Sequence, residues 1–403
     1  MTLEPKNRAA QSQQSDTNKA TKFSAGDIVG VRAVVTDLGP EGLPSIERGV
    51  VSRVAKNRIQ IALNQPPNET LSPTWDVVQL TNQVTFKRMS RVLETLARYN
   101  GPALGTVQVL LGQRAPNIKS LPASAVPGLN PPQCEAIAFA LGEGPLTLIE
   151  GPPGTGKTTT VAALIGQAVR AGMRVLATAP SNVAVDNLIE KLVALPGPKI
   201  SLVRLGHPAR LLASAVDYSL DAVYQESNVR EVCEDVRQEM EQVREEIKSS
   251  RGSARKNKWE QWRGLQRELK QRQVSGLTAL VHSCQVVLAT CTGAADKLLA
   301  RVPDFDLVVI DEAGQALKPL SLIPMLRGKK TVLVGDHNQL PPTVMSKQAE
   351  SQGLSETFFA ELIKRHAEQI SRMLVIQYRM HEKIMTWSSN EFYQRRLVAG
   401  NVT

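Results

Sequence analysis

From residue 129 onward, short apolar runs alternate with longer segments of helical period. LTLIE (146–150), RVLATAP (174–180), SLVRLG (201–206), QVVLAT (285–290), LVVIDEA (307–313) and TVLVGD (331–336) are almost uninterruptedly apolar. Such runs fit strands covered on both faces, as in a parallel sheet. Strand–helix alternation predicts an α/β fold with a parallel sheet. Residues 229–273 break the rhythm. Val229, Val232, Val236, Met240, Val243 and Ile247 step by three or four, and so do Trp259, Trp262, Leu265 and Leu269 past a break at Ser249–Ser253. This predicts an antiparallel helical hairpin inserted at about 211–280, with the two Trp side chains packing between its helices.

The first third has a different texture. DIVGVRAVV, RGVVSRVA and RIQIAL are β-branched and punctuated by Gly, Pro and Asn. They predict a small β-barrel over 23–80, after a structureless polar tail at 1–22. Residues 82–99 place Val84, Met89, Val92, Leu93 and Leu96 near one helical face. That helix forms a stalk, and the Gly-, Pro- and Ala-rich stretch 100–128 reads as a connector; stalk and connector together span 81–128.

Composition narrows the classes. The chain has 403 residues, 42% hydrophobic and 21% charged, enough apolar content for more than one core. No apolar run approaches the ~18–20 residues that span a bilayer, so no membrane partner is expected. The polar N-terminus has no secretory h-region, and the four cysteines form no CxxC pair. A nuclear or cytoplasmic location fits. Lys and Arg outnumber Asp and Glu 48 to 38, a net charge of +10 that favours polyanionic partners, nucleic acid first.

The chemistry concentrates where strands end. GPPGTGKTTT (151–160) fits the pattern G-x-x-x-x-G-K-S/T and lies between an apolar strand and a helix. Gly151, Pro152, Pro153, Gly154, Thr155 and Gly156 would turn backbone N–H groups around a β-phosphate at a helix N-terminus. Lys157 would reach the β- and γ-oxygens, Thr158 would hold Mg²⁺, and Thr159 would complete the cradle for ATP. In LVVIDEAGQ, Asp311 would bind Mg²⁺ mostly through water, and Glu312 would orient and deprotonate the attacking water. Gln339 could sense the γ-phosphate or position water, and Arg379 could stabilise charge in the transition state. Gln133, in the first turn of a helix capped by Asn130 and Pro131, has the amide geometry that pairs with adenine N6 and N7. No guanine-reading N-K-x-D is present, because Asn257-Lys258 is followed by Trp-Glu.

These residues occur within LNPPQ, GPPGTGKTTT, APSNVAVDNL, RLGHPARLL, VLATCTGA, VVIDEAGQAL, GDHNQLPPTV and QYRMH, in that order. With these motifs the chain resembles superfamily 1 helicases of the Upf-like branch, and within it the immunoglobulin mu-binding protein helicases. The resemblance covers nearly everything from about Phe23. It implies two RecA-like domains, ATP-driven 5′-to-3′ translocation on single-stranded DNA or RNA, a barrel on a stalk, and a helical insertion. It also implies that Tyr378 stacks on adenine and that Arg379 touches the γ-phosphate. Pro180, Ser181, Asn182, Thr292 and Gly293 would line the nucleic-acid track, where Ser, Thr, Asn and backbone N–H groups grip phosphates without reading bases. Pro341 and Pro342 would couple the two surfaces, and Arg204, His207 and Arg210 would add positive charge.

The first RecA-like domain is expected over 129–370. Residues 371–403 are expected to supply only the first strand and helix of the second, with Tyr378 and Arg379 on a loosely held strand without its sheet. On that reading unwinding is incomplete in this chain. The competing reading is a nucleotide- and nucleic-acid-binding module without unwinding. A transporter-type ATPase would need an LSGGQ signature, which the sequence lacks.

Overall fold

Seven parallel strands carry the larger part of the molecule. The structure is a computed structural model that describes residues 2–3, 23–24, 26–33, 46–55, 58–63, 75–80 and 83–400. It divides into two compact units, Met1–Lys87 with His207–Leu211, and Arg88–Gly206 with Leu212–Thr403.

The smaller unit holds β1 (Thr2–Leu3), β2 (Ile28–Ala33), β3 (Glu47–Ala55), β4 (Arg58–Leu63) and β5 (Trp75–Gln79). All pair antiparallel in the order β1-β4-β3-β2-β5. Val29, Val31, Val51 and Ile61 alternate onto one buried face. The described residues give the expected small antiparallel sheet. One expectation needs correction. Thr2–Leu3, placed in a structureless tail, pair with Gln60 and Ile59 on the free edge of β4. The rest of the tail lies outside the described residues.

Helix α1 (Gln83–Leu96) forms where its apolar spacing predicts a helix, with Val92 buried and Leu96 packed against the main core, while Val84 and Leu93 of the predicted apolar face are exposed. The stretch 100–128 is more than a connector, since it contains the short helix α2 (Leu104–Leu110). Val107, Val109 and Leu110 of α2 are buried in the main core, and the Thr106 hydroxyl donates to the Pro145 carbonyl at 2.9 Å. Gly101, Pro102 and Gly105 signal a loop, but tertiary burial outweighs weak local propensity here.

The main sheet runs through β6 (Leu146–Glu150), β7 (Val175–Ala179), β8 (Leu202–Leu205), β9 (Val286–Thr290), β10 (Phe305–Ile310), β11 (Gly328–Gly335) and β12 (Ser371–Met373). Its order is β12-β6-β11-β10-β7-β9-β8, and every pair is parallel. Strand β6 leads into α4 (Lys157–Arg170), preceded by α3 (Pro131–Leu141); α5 (Asn182–Val193) follows β7. Between β8 and β9 come α6 (Leu220–Gln225), α7 (Asn228–Ser249) and α8 (Gly252–Ser283). Helices α7 and α8 bury Val236, Val243, Ile247 and Leu265 against each other. Trp262 packs onto that seam, and Trp259 meets it edge-on at 5.5 Å while remaining 39% exposed. Helix α9 (Lys318–Met325) joins β10 to β11; α10 (Lys347–Ser351) and α11 (Phe358–His366) lead to β12.

The expected boundary at 370–371 also shifts. Strand β12 is the edge of the first sheet, paired with β6, and the Ser371 hydroxyl donates to Glu150 at 2.7 Å. The Arg372 guanidinium lies 3.8 Å from the Phe139 ring centre. Beyond it, β13 (Ile376–Gln377) pairs with β14 (Val398–Ala399) across α12 (Glu382–Phe392), over a small core of Met385, Tyr393 and Leu397. The segment carrying Tyr378 and Arg379 therefore has a strand partner and a core of its own.

Candidate nucleotide site

The carboxyl ends of β6, β10 and β11 meet around one loop. Gly151 N–H donates to the Gly335 carbonyl at 2.8 Å, tying the loop after β6 to β11. Thr155, fully buried, folds its hydroxyl onto the Pro152 carbonyl at 2.7 Å. Gly154 and Gly156 have φ of 77° and 78°, a region that L side chains rarely adopt. Helix α4 then starts at Lys157, so its unpaired N–H groups and partial positive charge face the loop. The Lys157 ammonium donates to the Gly151 carbonyl at 2.7 Å.

Strand β10 delivers the acidic pair. Asp311 is 1% exposed, and its N–H donates to the Thr178 carbonyl at 2.8 Å. Its carboxylate accepts from Glu312 N–H at 2.9 Å. Burial first, then the Glu312 charge, push the Asp311 carboxyl up to about 7, while Lys157 opposes the shift. Glu312 adopts φ 53°, ψ 37°, a left-handed conformation that non-glycine residues rarely hold. Such strain persists only where the surroundings enforce it. A Cβ on Gly314 would come within 2.5 Å of the Asp336 carbonyl, so this turn packs backbone to backbone against the end of β11.

A cleft of about 350 Å³ opens over this loop. Its walls are Pro152, Gly154 through Thr159, Glu312, Tyr378 and Arg379, with Lys191 of α5. Tyr378 N–H donates to the Gly154 carbonyl at 2.9 Å, and a Cβ on Gly154 would lie 2.5 Å from the Arg379 Cβ. The expectation that Tyr378 and Arg379 sit loosely is therefore wrong: their backbone rests directly on the phosphate loop. Sequence reading missed Lys191, which lies nine residues past Asn182 on a helix with no motif of its own there.

Five expected residues lie outside the cleft walls: Gly151 and Pro153 of the loop itself, and Asp311, Gln133 and Gln339. Asp311 sits buried beneath Glu312. Gln133, 5% exposed, accepts from Asn130 N–H at 3.0 Å and donates to the Thr155 carbonyl at 3.1 Å, so its amide links the cap of α3 to the loop. Gln339 donates to Asp336 at 2.8 Å. Asp336, 5% exposed, also accepts from Tyr393 OH at 2.7 Å and from Asn338 N–H at 3.0 Å. Asn338 donates to the Phe392 carbonyl at 3.0 Å. The end of β11 is thus fastened to the segment that holds Arg379.

The donor set fits a hard cation. Thr158 and Asp311 offer oxygen ligands, and among the described residues no group of three His, Cys, Asp or Glu could hold a metal alone. Mg²⁺ characteristically takes one or two protein oxygens, with water and phosphate completing its shell.

The expected nucleic-acid residues fall into two groups. Strands β7 and β9 are neighbours, so Pro180, Ser181 and Asn182 lie beside Thr292 and Gly293 at adjacent carboxyl ends. Ser181 caps α5 by accepting from Ala184 N–H at 3.2 Å, and Gly293 N–H donates to Thr290 at 3.0 Å. Pro341 and Pro342 follow β11, two strands away, with Pro341 exposed and Pro342 buried. Arg204 does not add surface charge. It is fully buried, bonded to Asp186 at 2.9 Å and to Asn182 at 2.9 Å, while Asp186 also accepts from Leu212 N–H at 2.9 Å.

A parallel sheet with a Gly-rich loop opening a helix, and an acidic pair ending a nearby strand, defines a P-loop nucleoside-triphosphatase core of RecA-like type. Residues 128–347 match the family model described as AAA domain, and residues 354–403 match a second model of the same description. The chain belongs to the superfamily 1 helicases of the Upf-like branch. It is 39% identical over 396 residues to the DNA-binding protein SMUBP-2 of Mesocricetus auratus, covering 94% of this chain and 39% of that protein. It is 33% identical over 398 residues to the DNA polymerase alpha-associated DNA helicase A of Schizosaccharomyces pombe, covering 94% and 58%. A regulator of nonsense transcripts 1 homolog of Arabidopsis thaliana is 37% identical over 278 residues, covering 68% of this chain and 21% of that protein. The chain thus spans about two fifths of the length of SMUBP-2. The four cysteines are free and buried. Among the described residues no helix is long and apolar enough to cross a membrane.

Proposed function

We propose that this protein hydrolyses ATP and uses the energy to translocate 5′-to-3′ on single-stranded DNA or RNA, as the motor portion of a helicase. The observation that carries the reading is the single cleft that joins Lys157, Thr158, Glu312 and Arg379. The N-terminus of α4 and the Lys157 ammonium bind the phosphates, the lysine exchanging its Gly151 carbonyl for a phosphate oxygen. Thr158 and Asp311 would hold Mg²⁺, which when bound neutralises developing phosphate charge. Glu312, held by its strained backbone, orients a water and takes its proton. Arg379 stabilises negative charge on the transferring group. Tyr378 stacks on the adenine; readout of the base by Gln133 requires exchange of its bonds to Asn130 and Thr155.

Pro180, Ser181, Asn182, Thr292 and Gly293 would hold the strand by its phosphates, and Pro341 and Pro342 would link that track to the cleft. The net positive charge supports a polyanionic partner, and the names of two relatives specify DNA. A nuclear or cytoplasmic location fits such a substrate. We assign residues 129–374 to the first RecA-like domain, with the α7–α8 hairpin as its insertion, and 375–403 to the start of the second.

The test is Mg²⁺-dependent ATP hydrolysis by this chain, with and without single-stranded DNA or RNA, compared with Lys157→Ala. Loss of nucleotide binding or turnover in a folded Lys157→Ala protein is expected. Unchanged affinity and turnover would rule out the phosphate assignment.

A further inference from the structure

The two walls of the cleft are joined by a closed ring of hydrogen bonds through a residue that the nucleotide reading leaves out, Asn130. Tyr378 N–H donates to the Gly154 carbonyl at 2.9 Å. The Tyr378 hydroxyl accepts from Asn130 Nδ2 at 3.1 Å, across 248 positions of sequence. Asn130 Oδ1 accepts from Gln133 N–H at 2.9 Å, and Gln133 Oε1 accepts from Asn130 N–H at 3.0 Å. Gln133 Nε2 then donates to the carbonyl of Thr155, the neighbour of Gly154, at 3.1 Å. Both ends of the Asn130 and Gln133 side-chain amides are engaged, so neither can turn without breaking a bond.

We propose that Asn130 is a positioning residue that fixes the Tyr378 ring relative to the phosphate loop, so that base and triphosphate are recognised as one preorganised unit. The inference rests on the nucleotide-hydrolase reading above. A bound ring restrained in advance loses less freedom on binding, which raises affinity for ligands that contact it. A ligand that carries phosphates and no base gains nothing from the restraint.

Asn130 also caps α3, and the two roles use different atoms. The cap uses Oδ1, whereas the bond to Tyr378 uses Nδ2. Serine is an equally good cap and has no second donor positioned for Tyr378, so Asn130→Ser separates the roles. Tyr378→Phe removes the hydroxyl and keeps the stacking ring.

The experiment measures dissociation constants of the full chain for Mg-ATP and for inorganic tripolyphosphate, by calorimetry, in wild type, Asn130→Ser, Tyr378→Phe and the double variant. Thermal melts confirm that each is folded. Asn130→Ser is expected to weaken ATP by about three- to tenfold, the equivalent of one neutral hydrogen bond, and to leave tripolyphosphate unchanged. Tyr378→Phe should do the same, and the double variant should be no worse than either single one, because both break one bond. Unchanged ATP affinity in Asn130→Ser, equal weakening of both ligands, or additive effects would overturn the proposal. A wild-type chain that bound neither ligand would overturn the hydrolase reading, and this inference with it. If Lys157→Ala abolishes wild-type ATP binding, that reading stands whatever Asn130 does.

Discussion

Arg204 and Asp186 show how a polar residue in a functional motif can be structural. Both side chains are fully buried, and they satisfy each other, the Asn182 amide and the Leu212 N–H. Burial lowers the Arg204 pKa, and the Asp186 bond opposes that shift. Removing one partner leaves a buried charge unpaired, which typically costs about 3–5 kcal/mol. Asp186→Ala should therefore destabilise the chain by about that amount in chemical denaturation, and a change below about 1 kcal/mol would contradict the pairing. The phosphate loop was legible because its chemistry is contiguous: glycines, lysine and threonines lie within ten residues, between recognisable strand and helix. Arg204 was misread because a sequence shows a charge and not its burial. Lys191 and the Asn130–Tyr378 bond were missed because each depends on contacts distant in sequence.

Strands and helices divide in the same way. Strands β6 to β11 were readable as continuous apolar runs, since both faces of each are covered. Helix α2 and strand β12 were not. Helix α2 is too short to show a period and carries loop-like glycines nearby. Strand β12 reads Ser-Arg-Met, with its polar residues satisfied by Glu150 and the Phe139 ring. Two predictions concern β11. Lys330, near its start, donates to the Gly142 carbonyl, and burial lowers its pKa to about 8. An unfolded lysine titrates near ~10.4. Between these values the unfolded chain binds more protons, so this group makes stability rise with pH; below pH 8 both states are protonated and the slope vanishes. Lys330→Met should remove that rise, measured by denaturation between about pH 8 and 10; identical slopes would contradict it. At the other end of β11, Tyr393 donates to buried Asp336, and burial with that carboxylate raises the Tyr393 pKa. Tyr393→Phe should cost about 1–3 kcal/mol of stability, the range for a lost bond to a charged group. A neutral substitution would show that this bond does not fasten β11 to the C-terminal segment.

Taken together, the seven-stranded sheet gathers the carboxyl ends of β6, β10 and β11 around one cleft, and residues 375–400 close its far side through Gly154, Asp336 and Asn338. The α/β class and the helical hairpin followed from periodicity. The docking of the C-terminal segment did not, because it depends on backbone contacts to a glycine more than two hundred residues away. We propose that Glu312 performs the chemistry in a cleft whose binding groups are separate from it. Glu312→Gln should leave Mg-ATP affinity at the wild-type level, because Lys157, Thr158 and Asp311 remain. General-base catalysis is typically worth about 10²–10⁴-fold. Single-turnover hydrolysis of bound ATP by Glu312→Gln, compared with wild type, should be slower by a factor in that range. Equal single-turnover rates in the two proteins would contradict this role of Glu312 and place the base elsewhere.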